Sequence, residues 1–314
     1  MKLRTVLYFF TLCTACSLLS RALFGCQERE FYTDKRVMMG TFIEVTSQDR
    51  RAGQIVFSEF GRIENLLSKY KAESEVSRLN RLGELAVSPE TFFVIGKAKE
   101  FWQKSGGAFD ITVGPLDDLW GFTQKDYRLP QEAEVRKTLK RIGSDKIVLN
   151  SAANVVKFSL PGMKIDLGAI AKGYALDCAV KRLRENNITS CLISAGGQVY
   201  CLGEKSGRPW RVGIKGPENS GMAGYLDLKD KCVSTSADYE QYFKEGGKVY
   251  GHIFDPRTGY PADKGIASVS VVSPDGLTAD ALSSAIFILG EEKGLELAKK
   301  LNISEVRIIK RPGT

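Results

Sequence analysis

Apolar residues recur at helical spacing along some stretches of the chain and alternate with polar ones along others, and these two periods predict most of its elements. Residues 38–46 read as a strand. Residues 51–70 follow as an amphipathic helix with Val56, Phe60, Ile63 and Leu67 on one face. Pro89 opens a second helix, rich in Phe92, Val94, Ala98, Phe101 and Trp102, which Gly106-Gly107 stops. Residues 131–141 predict a short charged helix, and residues 146–149 and 155–158 a hairpin. A third helix is expected over residues 169–186. Short apolar runs at 189–194, 198–203, 209–214, 224–229 and 231–235 then read as a meander, whose glycine-containing turns favour antiparallel pairing. Residues 265–273 predict another strand, 278–289 a buried helix and 291–301 an amphipathic one. The expected class is α+β: mainly antiparallel sheets with flanking helices, in a single domain of two lobes without linker, repeat or low-complexity block.

The start of the chain departs from that pattern. Lys2 and Arg4 precede an apolar run over residues 6–19, too short to span a bilayer and typical of a secretory leader. Leu23-Phe24-Gly25 before Cys26 is similar to the lipobox of bacterial lipoproteins, although Phe24 is bulkier than usual and Arg21 interrupts the core. The expected organisation is a lipoprotein signal peptide over 1–25, a short tether over 26–35 and a folded domain over 36–314. A lipid on Cys26 would hold the domain on the extracytoplasmic face of a bacterial membrane. An uncleaved or conventionally cleaved signal is the alternative.

Composition narrows the partners. The formal charge of +8 falls by three when the leader leaves with Lys2, Arg4 and Arg21. The remaining excess is spread out, with no Lys/Arg block among aromatics, which favours a membrane surface or an anionic ligand over nucleic acid. Cys178, Cys191, Cys201 and Cys232 lack metal-ligand spacing, which Cys13 and Cys16 show only within the leader. Buried free thiols are expected, with a Cys191–Cys201 disulfide as the alternative outside the cytoplasm.

Candidate chemistry concentrates in five places. His252, the only histidine, opens His252-Ile-Phe-Asp-Pro-Arg-Thr-Gly-Tyr-Pro261, where it is either a general base or a packed residue beside a turn. The segment from Gly107 to Gly121 carries Asp110, Thr112 and Trp120 in a loop-like stretch. Asp166-Leu-Gly-Ala-Ile-Ala-Lys-Gly-Tyr174 places Gly168 before a helix start, so free N–H groups and Lys172 face outward as they would to receive phosphate. Ser194-Ala-Gly-Gly197 either lets a backbone approach a ligand or merely turns the chain. Asp280 and Ser284 are four apart, so one helix face presents a carboxylate and a hydroxyl, hard oxygen donors suited to Mg²⁺. Together these suit attack on a phosphoanhydride.

The same segments, with Met39-Gly-Thr41, Ser234-Thr-Ser-Ala-Asp-Tyr239 and Ala279-Asp-Ala281, resemble the ApbE family of FAD:protein FMN transferases in order and spacing over residues 36–310. The resemblance implies a Mg²⁺-dependent enzyme that cleaves FAD, joins FMN by a phosphoester to a threonine or serine of a target protein and releases AMP. It implies targets of the Nqr or Rnf flavin-subunit type. It places Met39, Tyr70, Ala108, Phe109, Asp110, Asp166, Lys172 and Phe254 around FAD. Mg²⁺ would rest on Asp280, Ser284 and the Ala169 carbonyl, and His252 would deprotonate the acceptor, with Asp255 and Arg257 shaping its loop. Ala237 stands where glycine is common, and Ser284 where threonine is frequent. Tyr70 resembles the transferases rather than relatives that hydrolyse FAD to FMN and AMP. A Mg²⁺-dependent FAD pyrophosphatase and a non-catalytic flavin-binding lipoprotein are the alternative readings.

Overall fold

Every pairing in the largest sheet is antiparallel, and its seven strands come from both ends of the chain. The computed structural model describes residues 30–216, 221–238 and 241–311, so the leader, Cys26 and Tyr239 lie outside the described residues. From Tyr32 onward the chain forms one compact unit.

In chain order the first half comprises β1 (Tyr32–Met38), β2 (Thr41–Ser47), α1 (Ala52–Leu67), α2 (Glu75–Leu82), β3 (Glu84–Ala86), α3 (Pro89–Lys104), α4 (Gly114–Leu119), α5 (Glu132–Leu139), β4 (Ile147–Asn150) and β5 (Val155–Phe158). Next come α6 (Ala171–Glu185), β6 (Cys191–Ala195), β7 (Gln198–Leu202), β8 (Trp210–Lys215), β9 (Met222–Leu228) and β10 (Lys231–Ala237). The hairpin strands β11 (Tyr242–Glu245) and β12 (Lys248–Gly251) and the pair β13 (Phe254–Asp255) and β14 (Tyr260–Pro261) lead to β15 (Ile266–Ser273). The chain closes with α7 (Gly276–Leu289), α8 (Glu291–Lys300) and β16 (Val306–Lys310).

The main sheet runs β1-β2-β6-β7-β10-β15-β16. Strand β15 is buried along its whole length, its serines partly paired across strands, as in Ser270 Oγ to Thr235 Oγ1 at 2.7 Å. Helix α7 packs on β10 and β15 and touches α6 and α8, which explains why it is apolar all round. Local chemistry fixes the helix starts. Ser88 caps α3 through Thr91 N with Pro89 in the first turn, and Asp275 caps α7 through Thr278 N at 2.7 Å.

Several expectations change in detail. The strand expected over 38–46 is two, because Met39 and Gly40 both hold positive φ and reverse the chain between β1 and β2. Strand β1 begins at Tyr32, so the last residues assigned to the tether belong to the sheet. The meander is interrupted: β7 pairs with β10, while β8 and β9 form their own two-stranded sheet. Burial explains this, since β8 alternates strictly buried and exposed whereas the middle of β10 is buried at consecutive positions. The stretch from Gly107 to Gly121 is helical over much of its length, a 3₁₀ turn over Ile111–Val113 running into α4. Cys191 pairs with Leu202 and Cys201 with Leu192, so the two sulfurs point to opposite faces. All four described cysteines are free, and burial pushes the Cys191 and Cys201 thiols up to about 12. No described helix is long and apolar enough to cross a membrane.

Candidate functional site

A cavity of about 550 Å³ opens where the β1–β2 turn, the end of α1, the loops before α4 and α6, the β6–β7 turn, the end of β10 and helix α7 meet. The twelve residues assigned to FAD, to Mg²⁺ and to proton transfer line it, whereas Thr112, Trp120, Ser194, Asp255 and Arg257 do not. Met39, Tyr70, Ala108, Phe109, Asp110, Asp166, Lys172 and Phe254 stand around it with Ala169, Asp280, Ser284 and His252.

One corner is built by a close helix crossing. Gly173 on α6 and Gly276 on α7 touch backbone to backbone; a Cβ on Gly173 would sit 2.2 Å from the Gly276 carbonyl oxygen. That approach lets the Gly173 N–H donate to Asp280 Oδ2 at 3.0 Å. Asp280 is buried, and among the described residues no lysine or arginine pairs with it. Ser284 follows one turn on, 3.0 Å from Ser236 Oγ, which also meets Ser283 Oγ at 2.9 Å. The helix start expected to receive phosphate is thus partly occupied by a carboxylate, and Ile170 at its cap offers no side-chain acceptor. Lys172 folds its ammonium back onto the Gly168 carbonyl at 2.8 Å.

The opposite wall holds an ion cluster the sequence did not reveal. Lys69 Nζ lies 2.7 Å from both Asp117 Oδ2 and Asp166 Oδ2, with 11% of its side chain exposed. Burial alone would lower the Lys69 pKa, but the two carboxylates outweigh it and raise it well above the ordinary lysine range. Burial pushes the Asp117 carboxyl up, against the charge of Lys69. Burial opposes the Asp166 charge too, yet Lys69 prevails and holds that carboxyl below its usual value. Asp166 Oδ1 also accepts from Gly168 N at 2.7 Å, fixing the loop that carries Ala169. Asp117 sits among buried apolar residues of α4, and a carboxylate in such a place needs a partner; that was the available signal.

The third wall is aromatic. Phe254 is buried against Trp120 and Phe122, with ring centroids 5.8 and 5.7 Å apart. Trp120 donates to the Gly259 carbonyl at 3.1 Å, while Arg257 grips Asp255 with two contacts of 2.8 and 2.7 Å. These bonds hold the 252–261 segment in place. His252, half-buried, presents Nδ1 to the Gln241 carbonyl at 3.1 Å, and its backbone N–H donates to the same oxygen. A carbonyl only accepts, so Nδ1 carries the proton and Nε2 keeps its lone pair. Burial holds the imidazole pKa below its ordinary value, opposed by the Gln241 carbonyl and reinforced by the charge of Lys172.

Two other residues stand apart. Asp110 lines the cavity, but its oxygens already accept from Thr112 N, Thr112 Oγ1, Ser144 Oγ and Ser144 N at 2.7–3.1 Å. It orders the loop rather than offering a free carboxylate. Tyr70 is 70% exposed at the rim, with Lys69 Nζ 5.2 Å from its ring centroid.

A buried carboxylate with no cationic partner among the described residues, a lysine in the first turn of α6 and an imidazole whose pKa is held down therefore face one cavity. The ApbE family model matches residues 39–308. A Klebsiella pneumoniae protein named FAD:protein FMN transferase is 35% identical over 85% of this chain and 85% of its own length. One of the same name from Haemophilus influenzae is 34% identical over 78% of this chain and 74% of its own. The ApbE protein of Thermotoga maritima superposes with a TM-score of 0.84 at 33% identity, covering 91% of this chain and 96% of that one. The flavin transferase ApbE of Vibrio cholerae gives 0.81 at 28%, covering 90% and 94%. On sequence and on fold alike, the chain belongs to the ApbE family.

Proposed function

We propose that this protein is a Mg²⁺-dependent FAD:protein FMN transferase that joins FMN through a phosphoester to a serine or threonine of another protein and releases AMP. The observation that carries the reading is His252, its Nδ1 within hydrogen-bond distance of the Gln241 carbonyl, facing the same cavity as Asp280, Ser284 and Lys172.

The residues at the metal corner fit a hard cation. Among the described residues no three His, Cys, Asp or Glu side chains converge, so a cation would rest on one carboxylate, the Ser284 hydroxyl, the Ala169 carbonyl and substrate or water oxygens. That donor set suits Mg²⁺, which binds few protein groups and keeps phosphate and water in its shell. When bound there it would neutralise charge developing on the pyrophosphate. Lys172 adds a point charge beside it, and Phe109, Phe254 and Tyr70 offer apolar surface for the rings of FAD.

His252 Nε2 takes the proton from the acceptor hydroxyl. The hydroxyl oxygen then attacks the phosphorus of the FMN half, and the bond from that phosphorus to the oxygen bridging to AMP breaks. AMP leaves with the electron pair. Tethering by a lipid on Cys26 and acceptors of the Nqr or Rnf type belong to the same proposal, because both would place enzyme and target on one extracytoplasmic surface.

The test mixes the protein with FAD, Mg²⁺ and an acceptor bearing a Ser/Thr-Gly-Ala-Thr/Ser-like segment. A fluorescent band that survives denaturation is expected; AMP released with no covalent band would point to water as the acceptor and overturn the proposal. His252→Ala should lower transfer by about 10²–10⁴-fold while FAD binding persists. Transfer should be level above neutral pH and fall on acidification below the ordinary histidine range, as Nε2 takes a proton.

A further inference from the structure

The hairpin of β1 and β2 carries cavity-lining residues at its turn and an uncovered apolar pair just behind it. Val37 and Phe42 stand directly opposite one another across the two strands, one register step behind Met38 and Thr41. Met39, Gly40 and Thr41 line the cavity. Side chains alternate along a strand, so Ile43 and Val45 turn inward and are buried while Phe42 turns out. Phe42 is 70% exposed and Val37 69%, matched among the described large apolar residues only by Tyr70 at the rim of the same cavity. Further back on that face the pairs are polar, with Lys35 ion-paired to Glu44 and Thr33 Oγ1 2.9 Å from Thr46 Oγ1. The apolar surface is therefore confined to the end of the hairpin beside the cavity.

Apolar residues exposed singly need no explanation, but an adjacent pair beside the edge of a sheet invites association. The topology selects the occupant. Tyr32, where the chain enters β1, lies at the far end of that seven-residue strand, about 20 Å from the turn, so a lipid tether joining there does not lead to this pair. A transferase whose acceptor is a protein, by contrast, must admit a second chain at this mouth, because His252 lines the same cavity as Met39, Gly40 and Thr41. Neither Val37 nor Phe42 lines the cavity itself, so the pair is placed to meet a protein outside it and not FAD within. Resting on the transferase reading, we infer that Val37 and Phe42 form a docking point for the acceptor protein, covered by its apolar side chains while its serine or threonine hydroxyl reaches His252 Nε2.

Val37→Thr combined with Phe42→Thr removes the apolar surface and keeps β-branched strand formers at both positions. Transfer is followed with FAD and a water-soluble, lipid-free acceptor domain bearing a Ser/Thr-Gly-Ala-Thr/Ser-like segment, across acceptor concentrations. The KM for the acceptor should rise about tenfold as two apolar contacts are withdrawn, while kcat at saturating acceptor, FAD affinity and the unliganded melting temperature stay level. An unchanged KM overturns the inference, and so does a loss accounted for by weaker FAD binding. A loss seen only when the acceptor sits in vesicles of phosphatidylethanolamine and phosphatidylglycerol assigns the pair to lipid, and a wild-type dimer that the variant cannot form assigns it to a second copy; either overturns the inference. Wild-type protein that leaves no covalent flavin on the acceptor sinks the transferase reading itself, a result distinct from equal transfer by both proteins. Should the double variant fold poorly, Phe42→Tyr, which keeps the ring, should hold the wild-type KM, and Phe42→Thr alone should raise it.

Discussion

Two buried acidic centres face one another across this cavity, and the protein has compensated them in different ways. Asp117 and Asp166 share the ammonium of Lys69 at 2.7 Å each. Asp280 has a backbone N–H from Gly173 and no ion-pair partner among the described residues. Burying a carboxylate is costly unless a charge or several hydrogen bonds answer it. The Lys69 cluster is therefore complete within the chain, whereas the Asp280 corner is built to be completed from outside. Under the proposed function the open corner would take the cation that answers substrate charge, while the closed one holds the loop that carries Ala169.

The sharpest way to break the contrast is Lys69→Met, which leaves two buried carboxylates without their cation. Stability should fall by about 3–5 kcal/mol, read as a lower midpoint in urea. Asp280→Asn should behave oppositely. Asparagine still accepts from Gly173 N–H, so the cation-free protein should hold its stability to within about 1 kcal/mol. The rise in melting temperature on adding Mg²⁺ should vanish; a rise equal to wild type would remove Asp280 from the metal corner. The smallest effect belongs to Asp117→Asn, about 1 kcal/mol, because asparagine keeps an oxygen that accepts from Lys69 Nζ while Asp166 still pairs with the ammonium.

Acidity separates the partners within the closed cluster. The folded-state pKa of Asp117 is raised, so its contribution is full below the ordinary carboxylate value and is lost as pH rises through the folded value. Asp166 is lowered, so its contribution is present above that value and is lost as pH falls through the depressed one. Denaturant midpoints across pH 3–8 should show that Asp117→Asn removes the decline on the alkaline side and leaves the acid limb intact. Loss of both limbs together would mean that the two carboxyls titrate as one.

The open corner was far more legible in the sequence than the closed one. Asp280 and Ser284 stand four apart in a helix whose apolar surroundings make both conspicuous, and Gly168, Lys172 and Gly173 precede a periodic helical run. His252 was visible as a single imidazole amid turn residues. Lys69 and Gln241 carried no such mark, and Asp117 only the weak one of a carboxylate beside apolar residues. Lys69 lies just past the end of α1 beside Tyr70, Asp117 lies 48 residues further on, and only the tertiary fold brings them together. Gln241 acts through its backbone carbonyl, which no side-chain pattern announces. The helices over 52–67 and 89–104 followed their apolar period and that over 276–289 its unbroken apolar run, while the β8–β9 excursion was not legible, because period-2 alternation is the same whichever sheet a strand joins.

The touching backbones of Gly173 and Gly276 bear on how this corner can evolve. Lys172 rides on one helix and Asp280 on the other, and the gauge between them is set by atoms that are missing from both glycines. A single methyl at either position would act as a shim, prising the cation seat from the neighbouring lysine while leaving each ligand's own chemistry intact.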